Sequence, residues 1–200
     1  MMQPWQPLID WWFGPPASAN ATAAARQGLW FGKQDSQDNE ARQRFGSLVE
    51  AALEGGLGGW LEEPEGWLAV LLLLDQLPRM IFRDTPRAFA GDARAQLLVA
   101  DGLARGREQQ LAPIQQVFIL LVLEHAEDLA SQESAMYRFD HLLARADESE
   151  RRLFEGFVDF AERHRQVIAR FGRYPHRNAI LGRPSTAEEI AFLQEPGSRF

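Results

Sequence analysis

The chain has no cysteine. That one absence excludes disulfides, thiolate-held metals, iron–sulfur clusters and a cysteine nucleophile together. Long apolar runs are missing too: the longest, residues 67–74 and 117–123, fall far short of the ~20 residues that span a bilayer, so no membrane partner is expected. Positive charge is in deficit, with 21 Lys and Arg against 28 Asp and Glu and a formal net charge of -7. Without a basic footprint, nucleic acid is not an expected partner. Residues 1–16 put no cationic region ahead of an apolar run and carry Asp10 instead. A signal peptide is therefore not expected, and the chain reads as cytoplasmic. The alternating pattern of half-buried strands is also absent.

What remains is helical periodicity. With 46% apolar residues over 200 positions, the chain can bury a substantial core as one all-helical domain, residues 1–200. Ala41, Phe45, Leu48, Val49, Ala52 and Leu53 make one apolar stripe, and Gly55 with its neighbouring glycines ends it. Pro64 suits the first turn of the next helix, which runs to about Leu77 and is apolar all round, as an interior helix must be. Asp92 is placed to cap a helix reaching about Arg105, with Gly106 as its stop. Pro113 opens a second interior helix through Leu123. Amphipathic helices follow from Ser131 and over Leu153 to Phe171, the latter ended by Gly172. Ser185 and Glu188 read as a capping box for a last short helix. Residues 17–39 read as an ordered loop with a short helix, anchored by Trp30 and Phe31, and the Trp-rich N-terminus as a helix docked on the core. Short Gly/Pro/Asp joints favour antiparallel helical hairpins, the two apolar helices being sandwiched by amphipathic ones.

Polar residues attached to the ends of the interior helices are the informative ones. The first runs into Asp75, Gln76 and Arg79, with Arg83 beyond; the second into Glu124, His125, Glu127 and Asp128. Burying ionisable groups is costly unless they are paired or functional. Two interior helices ending this way point to a shared polar pocket. A third contribution comes from residues 163–183, which hold six arginines, two histidines and no acid. Guanidinium forks suit carboxylate or phosphate, and Arg170, Arg173, His176, Arg177 and Asn178 are the candidates there. The alternative is that these arginines pair with Asp75, Glu127 and other acids as structural glue. His164 lies on an apolar stripe and reads first as a hydrogen-bonded core residue. His125, Glu127, His164 and His176 are the one nitrogen and oxygen set a metal could use, but no HExxH or comparable spacing supports it, so neither metal nor cofactor is expected. No serine occupies a nucleophile elbow.

Five strings carry a resemblance: DWWFG at 10–14, LWFGK at 29–33, DQLPRMIFRDTPRAFAGD at 75–92, EHAEDLASQ at 124–132 and HRQVIARFGRYPHRNAILGRPSTAEE at 164–189. Together they resemble the bacterial family called domain of unknown function 924, over nearly the whole chain. FGRYPHRN followed by GRPST is the most specific part. The resemblance implies a tetratricopeptide-like α-α superhelix and no established activity. Its signature residues here include Asp75, Gln76, Arg79, Arg83, Asp92, His125, Glu127, Gln132, His164, Arg170, Arg173, His176, Arg177, Asn178 and Arg183. One departure is visible: the proline usual a few residues ahead of the His-x-Glu is absent, and residues 121–124 read as continuous helix.

Three functions compete. The first is binding of a small anionic ligand, phosphate or carboxylate, by Arg79, Arg83, Arg170, Arg173, Arg177 and His176, with Asp75 and Glu127 holding the arginines from behind. The second is a hydrolase in which His125 or His164 is general base, oriented by Glu127 or Asp75, with a metal-assisted variant. The third is a helical scaffold for a protein partner, an analogy from fold. The sequence leaves open whether the protein is an enzyme.

Overall fold

A computed structural model describes residues 2–198. Among them are ten α-helices and no strand. Trp5 precedes α1 (Gln6–Phe13), which is followed by α2 (Ala19–Phe31) and α3 (Asp35–Glu54). Residues 17–39 are thus mostly helix rather than loop. Five alanines between 19 and 25 favour helix without leaving a strong apolar stripe, and the Ser18 hydroxyl caps α2 by accepting from the Ala21 N–H. Trp30 is buried and anchors this segment, whereas Phe31 is 52% exposed.

The two apolar helices lie inside, as their composition requires. α4 (Pro64–Leu71) passes through a π-helical turn, Leu72–Gln76, into α5 (Leu77–Ile81), so the helical path extends beyond Leu77. In the π turn the Leu77 N–H donates to the Leu72 carbonyl, five residues back. Pro78 has no N–H to offer Leu74, and its ring would crowd that carbonyl in a regular α-helix; widening the helix by one residue accommodates it. α7 (Pro113–Glu124) is the second interior helix, buried continuously from Val117 to Glu124. Between them in sequence comes α6 (Asp92–Ala104). Asp92 is its first helical residue, not its cap, which is Gly91.

α8 (Leu129–Arg145) and α9 (Arg151–Phe171) form an antiparallel hairpin closed by the Phe139–Phe157 stack, with ring centroids 6.4 Å apart. Asp128 caps α8 through the Ser131 N–H at 2.8 Å, so the helix starts two residues earlier than Ser131 itself suggests. Gly172 adopts φ 69° and stops α9. The last helix, α10 (Ala187–Phe192), is held by a capping box one residue later than expected, Thr186 with Glu189.

The N-terminal helix docks where expected. Phe118 of α7 meets Trp12, Phe13 and Trp30 at centroid distances of 5.5, 5.4 and 4.8 Å, and the Trp30 indole N–H donates to the Trp12 carbonyl. A smaller apolar cluster of Val167, Ile168 and Tyr174 lies at the end of α9. No helix among the described residues is long and apolar enough to cross a membrane.

Candidate functional site

The ends of both interior helices open on one cavity of about 600 Å3. The π turn, α5, the segment after α7, α9 and the 3-10 turn Pro175–Arg177 all contribute to its wall.

Asp75 sits on the π turn and is 1% exposed. Its Oδ1 and Oδ2 lie 2.8 and 2.9 Å from His125 Nδ1. The Gln76 amide donates to Oδ2 at 2.6 Å, and Arg79 Nη1 lies 3.1 Å from Oδ1. Burial alone would raise the Asp75 pKa, but Arg79 and His125 outweigh it and hold the carboxyl below the usual carboxylate range. His125 is pushed down from its ordinary value, chiefly by burial and then by Arg79 and Arg177, against the pull of Asp75. Near neutral pH the pair is therefore a carboxylate and a neutral imidazole. With Nδ1 donating to Asp75, Nε2 keeps its lone pair, and His125 lines the cavity.

His125 reaches this position because α7 ends at Glu124. The orphan carbonyls there are taken up by Gln132, whose Nε2 donates to Glu124 O at 2.6 Å and Ala126 O at 2.8 Å, and by the Tyr174 hydroxyl, which donates to Glu124 O. Glu124 and His164 form a second buried pair, Oε1 to Nδ1 2.9 Å, with the Phe160 carbonyl also 2.9 Å from that nitrogen. His164 is thus the bonded core residue the sequence suggested, yet it also lines the cavity.

Three arginines of the cavity wall have acids behind them or close by. Arg79 grips Asp92 with two bonds of 2.8 and 3.0 Å, and Arg83 grips Asp38 with two of 2.8 Å. Arg177 is different. It is 6% exposed, its nearest carboxylate is Asp92 at 3.6 Å, and its Nε meets no acceptor among the described residues. Its guanidinium is packed between Phe89 and Tyr174, 4.8 and 4.5 Å from their centroids. Burial and the neighbouring Arg79 pull its pKa below the ordinary value, but an arginine remains charged. His176, also on the wall, is pushed down to about 3 by burial, Arg177 and His164.

Other expected site residues lie elsewhere. Arg173 is bound by Glu189 at 2.6 and 2.8 Å, Arg170 by Glu188 at 3.0 Å, and Asn178 by Ser185 and Arg183, both at 3.0 Å. None of the three lines the cavity. Both arginines are paired with acids at the start of α10. Glu127 orients no histidine; it accepts from the Tyr174 N–H at 2.8 Å and from Arg183 at 2.9 Å. It does hold an arginine from behind, but that arginine is Arg183. Among the described residues no three His, Asp or Glu side chains are grouped to hold a metal ion, so the set His125, Glu127, His164 and His176 is not assembled. Sequence reasoning missed Tyr174 and Phe160 on the wall. Tyr174 stands inside the most specific string of the resemblance, which was its signal; Phe160 had none.

A family model described as "Bacterial protein of unknown function (DUF924)" matches residues 8–197. The solved structure of a protein of unknown function from Agrobacterium tumefaciens is similar at 36% identity, with a TM-score of 0.74, over 88% of this chain and 99% of that one. No curated protein matches.

Proposed function

We propose that this chain, which belongs to the DUF924 family of bacterial proteins, binds a small anionic molecule, a phosphate or a carboxylate, in the cavity between the ends of its interior helices. The observation that carries the reading is Arg177, a buried guanidinium on the cavity wall with, among the described residues, only a shared carboxylate 3.6 Å away. Leaving a buried charge so poorly neutralised is costly, and an anion in the cavity would complete its charge-assisted bonds. Arg79 stands beside it, held in place by Asp75 and Asp92. Thermal melting against phosphate esters and carboxylic acids tests the reading. A ligand at 100 times its dissociation constant adds about 2.7 kcal/mol, worth several degrees in a domain of this size. Absence of any shift with either class would refute it.

The Asp75–His125 pair favours a second reading, ester hydrolysis. His125 Nε2 would take a proton from water as the water oxygen attacks the ester, and return it to the leaving alkoxide; Arg79 and Arg177 would face the developing negative charge. Its test is turnover of an ester found by the melting screen. A His125→Asn variant that binds the ester but does not cleave it would support this reading, and one that cleaves it at the normal rate would end it.

A further inference from the structure

We infer that the ligand carries two separated anionic groups, as a dicarboxylate or a phosphate ester bearing a carboxylate does, one held at Arg177 and the other at Lys33 on the rim of the same cavity; this rests on the anion-binding reading above.

Charge balance is the first argument. Among the described residues, four formal cations stand on the wall: Lys33, Arg79, Arg83 and Arg177. Arg79 is neutralised by Asp75 and Asp92, and Arg83 by Asp38. Arg177 has only the shared Asp92, at 3.6 Å. No described carboxylate lies within 4.0 Å of Lys33. That holds even for Asp84, the one acid on the wall among the described residues. A single anionic group at Arg177 would leave Lys33 without a partner.

The second argument is the order of these cations. Arg177 and Arg79 both stand over the Phe89 ring, 4.8 and 5.4 Å from its centroid. Arg83 follows Arg79 along the chain and is tied at 2.8 Å to Asp38, in the first turn of α3. Lys33 precedes α3, in the short joint that leaves α2. The two cations without an acid of their own are thus the first and last of the row, and the neutralised pair stands between them. Two anionic groups joined by a spacer match that arrangement, and a cavity of about 600 Å3 has room for both.

The third argument is that the place of Lys33 is built. A Cβ on Gly32 would stand 2.1 Å from the Gly28 carbonyl oxygen, although its φ of -77° is open to any residue. Only glycine fits so close to the end of α2, and the chain's one lysine comes next. All its other basic residues are arginine. An ammonium on a flexible four-carbon stem is a compact point charge that can follow a ligand group, where the fixed forks of Arg79 and Arg83 are already mated to carboxylates.

Titration calorimetry on the full chain tests this with matched pairs: succinate against butyrate, glutarate against pentanoate, and phosphoglycolate against ethyl phosphate. At least one two-group ligand is expected to bind about tenfold more tightly than its one-group match, and the pair that does so distinguishes phosphate from carboxylate. Lys33→Met removes the charge, keeps the stem and sits at an exposed position, so its fold is not at risk. It should abolish the advantage and keep the one-group affinity, and Lys33→Arg should restore most of the difference. Arg177→Met should lose both members of every pair. Reductive 13C-methylation supplies a second readout, since the lysine gives a single side-chain signal; the two-group ligand should move it and the one-group match should not. Equal, Arg177-dependent affinities within all three pairs would overturn the inference while leaving anion binding intact. An advantage undiminished in Lys33→Met would overturn it by placing the second group elsewhere. No binding of any anion would remove the reading on which it rests.

Discussion

Asp75 presents both carboxylate oxygens to His125 Nδ1, at 2.8 and 2.9 Å, and joins the π turn of one interior helix to the residue that ends the other. The contact fixes the ring's orientation and its tautomer. A carboxylate is tolerated at 1% exposure because Gln76 and Arg79 complete its hydrogen bonds. Nitrogen NMR should find His125 neutral at pH 7, protonated at Nδ1 and bare at Nε2, with its titration below 6.5. In Asp75→Asn the amide should favour the other tautomer or release the ring. A native His125 protonated at Nε2 would be incompatible with that orientation.

The charges around Asp92 should respond unequally to mutation. Asp92→Asn takes the shared partner from buried Arg177 and half-buried Arg79, which keeps Asp75, a change towards the kind that costs roughly 3–5 kcal/mol. Arg177→Met removes a poorly neutralised cation and keeps much of its packing between Phe89 and Tyr174. Its stability should be within about 1 kcal/mol of native or higher, because replacing a buried charge by an apolar group of similar size is often neutral or stabilising. Urea unfolding of the two variants checks both signs.

Stability should fall on acidification, in two stages. His176 has a folded pKa of about 3 against an ordinary 6.5, and His125 is lowered too. The unfolded chain therefore takes up protons first, and stability is lost as pH falls below about 6.5. Glu189 is held at about 2, chiefly by Arg173, against an ordinary 4.5. Its contribution is present above the unfolded value and disappears between about 4.5 and about 2. Asp75, also depressed, adds to the second stage. The melting midpoint should be several degrees lower at pH 5 than at pH 7, and His176→Gln should flatten that interval. A midpoint constant from pH 7 to pH 5 would contradict the burial of the two imidazoles.

Gly91 needs its missing side chain. A Cβ there would stand 2.1 Å from the Leu74 carbonyl oxygen and 2.8 Å from its carbon. Backbone φ is not the reason, at -90°; the reason is close approach of the start of α6 to the π turn, the approach that carries Asp92 to Arg79. Gly91→Ala should cost roughly 1–3 kcal/mol, as overpacking of tight interiors does, and should weaken anion binding. Gly156→Ala, where nothing lies within 4 Å, is the matched control.

Particular residues show what the sequence could convey. α4 and α7 were legible as interior helices because they are apolar on every face, and the polar residues at their ends located Asp75, Arg79 and His125. The arginines of residues 163–183 were not separable. A run of cations does not say which face each takes, and the acids that claim Arg170 and Arg173, Glu188 and Glu189, stand on a helix whose docking no local pattern reveals. The last helix start slipped by one residue because Ser185 with Glu188 and Thr186 with Glu189 both satisfy the capping-box spacing. α2 escaped because alanine favours helix without marking a buried face. The π turn left one trace, Pro78 inside an apolar helix. Phe160 left none, since an apolar residue in a helix is ordinarily a core residue.

Whether Arg177, and not the arginine-rich segment as a whole, receives an anion is decided by calorimetry of the tightest-binding anion against three proteins: native, Arg177→Met and Arg173→Gln. Arg177→Met is expected to lose measurable binding. Arg173→Gln, which breaks the Glu189 pair on the far side of that segment, is expected to bind as the native protein does. Binding that survives in Arg177→Met, or is lost in Arg173→Gln with the fold intact, would show that the anion is held elsewhere.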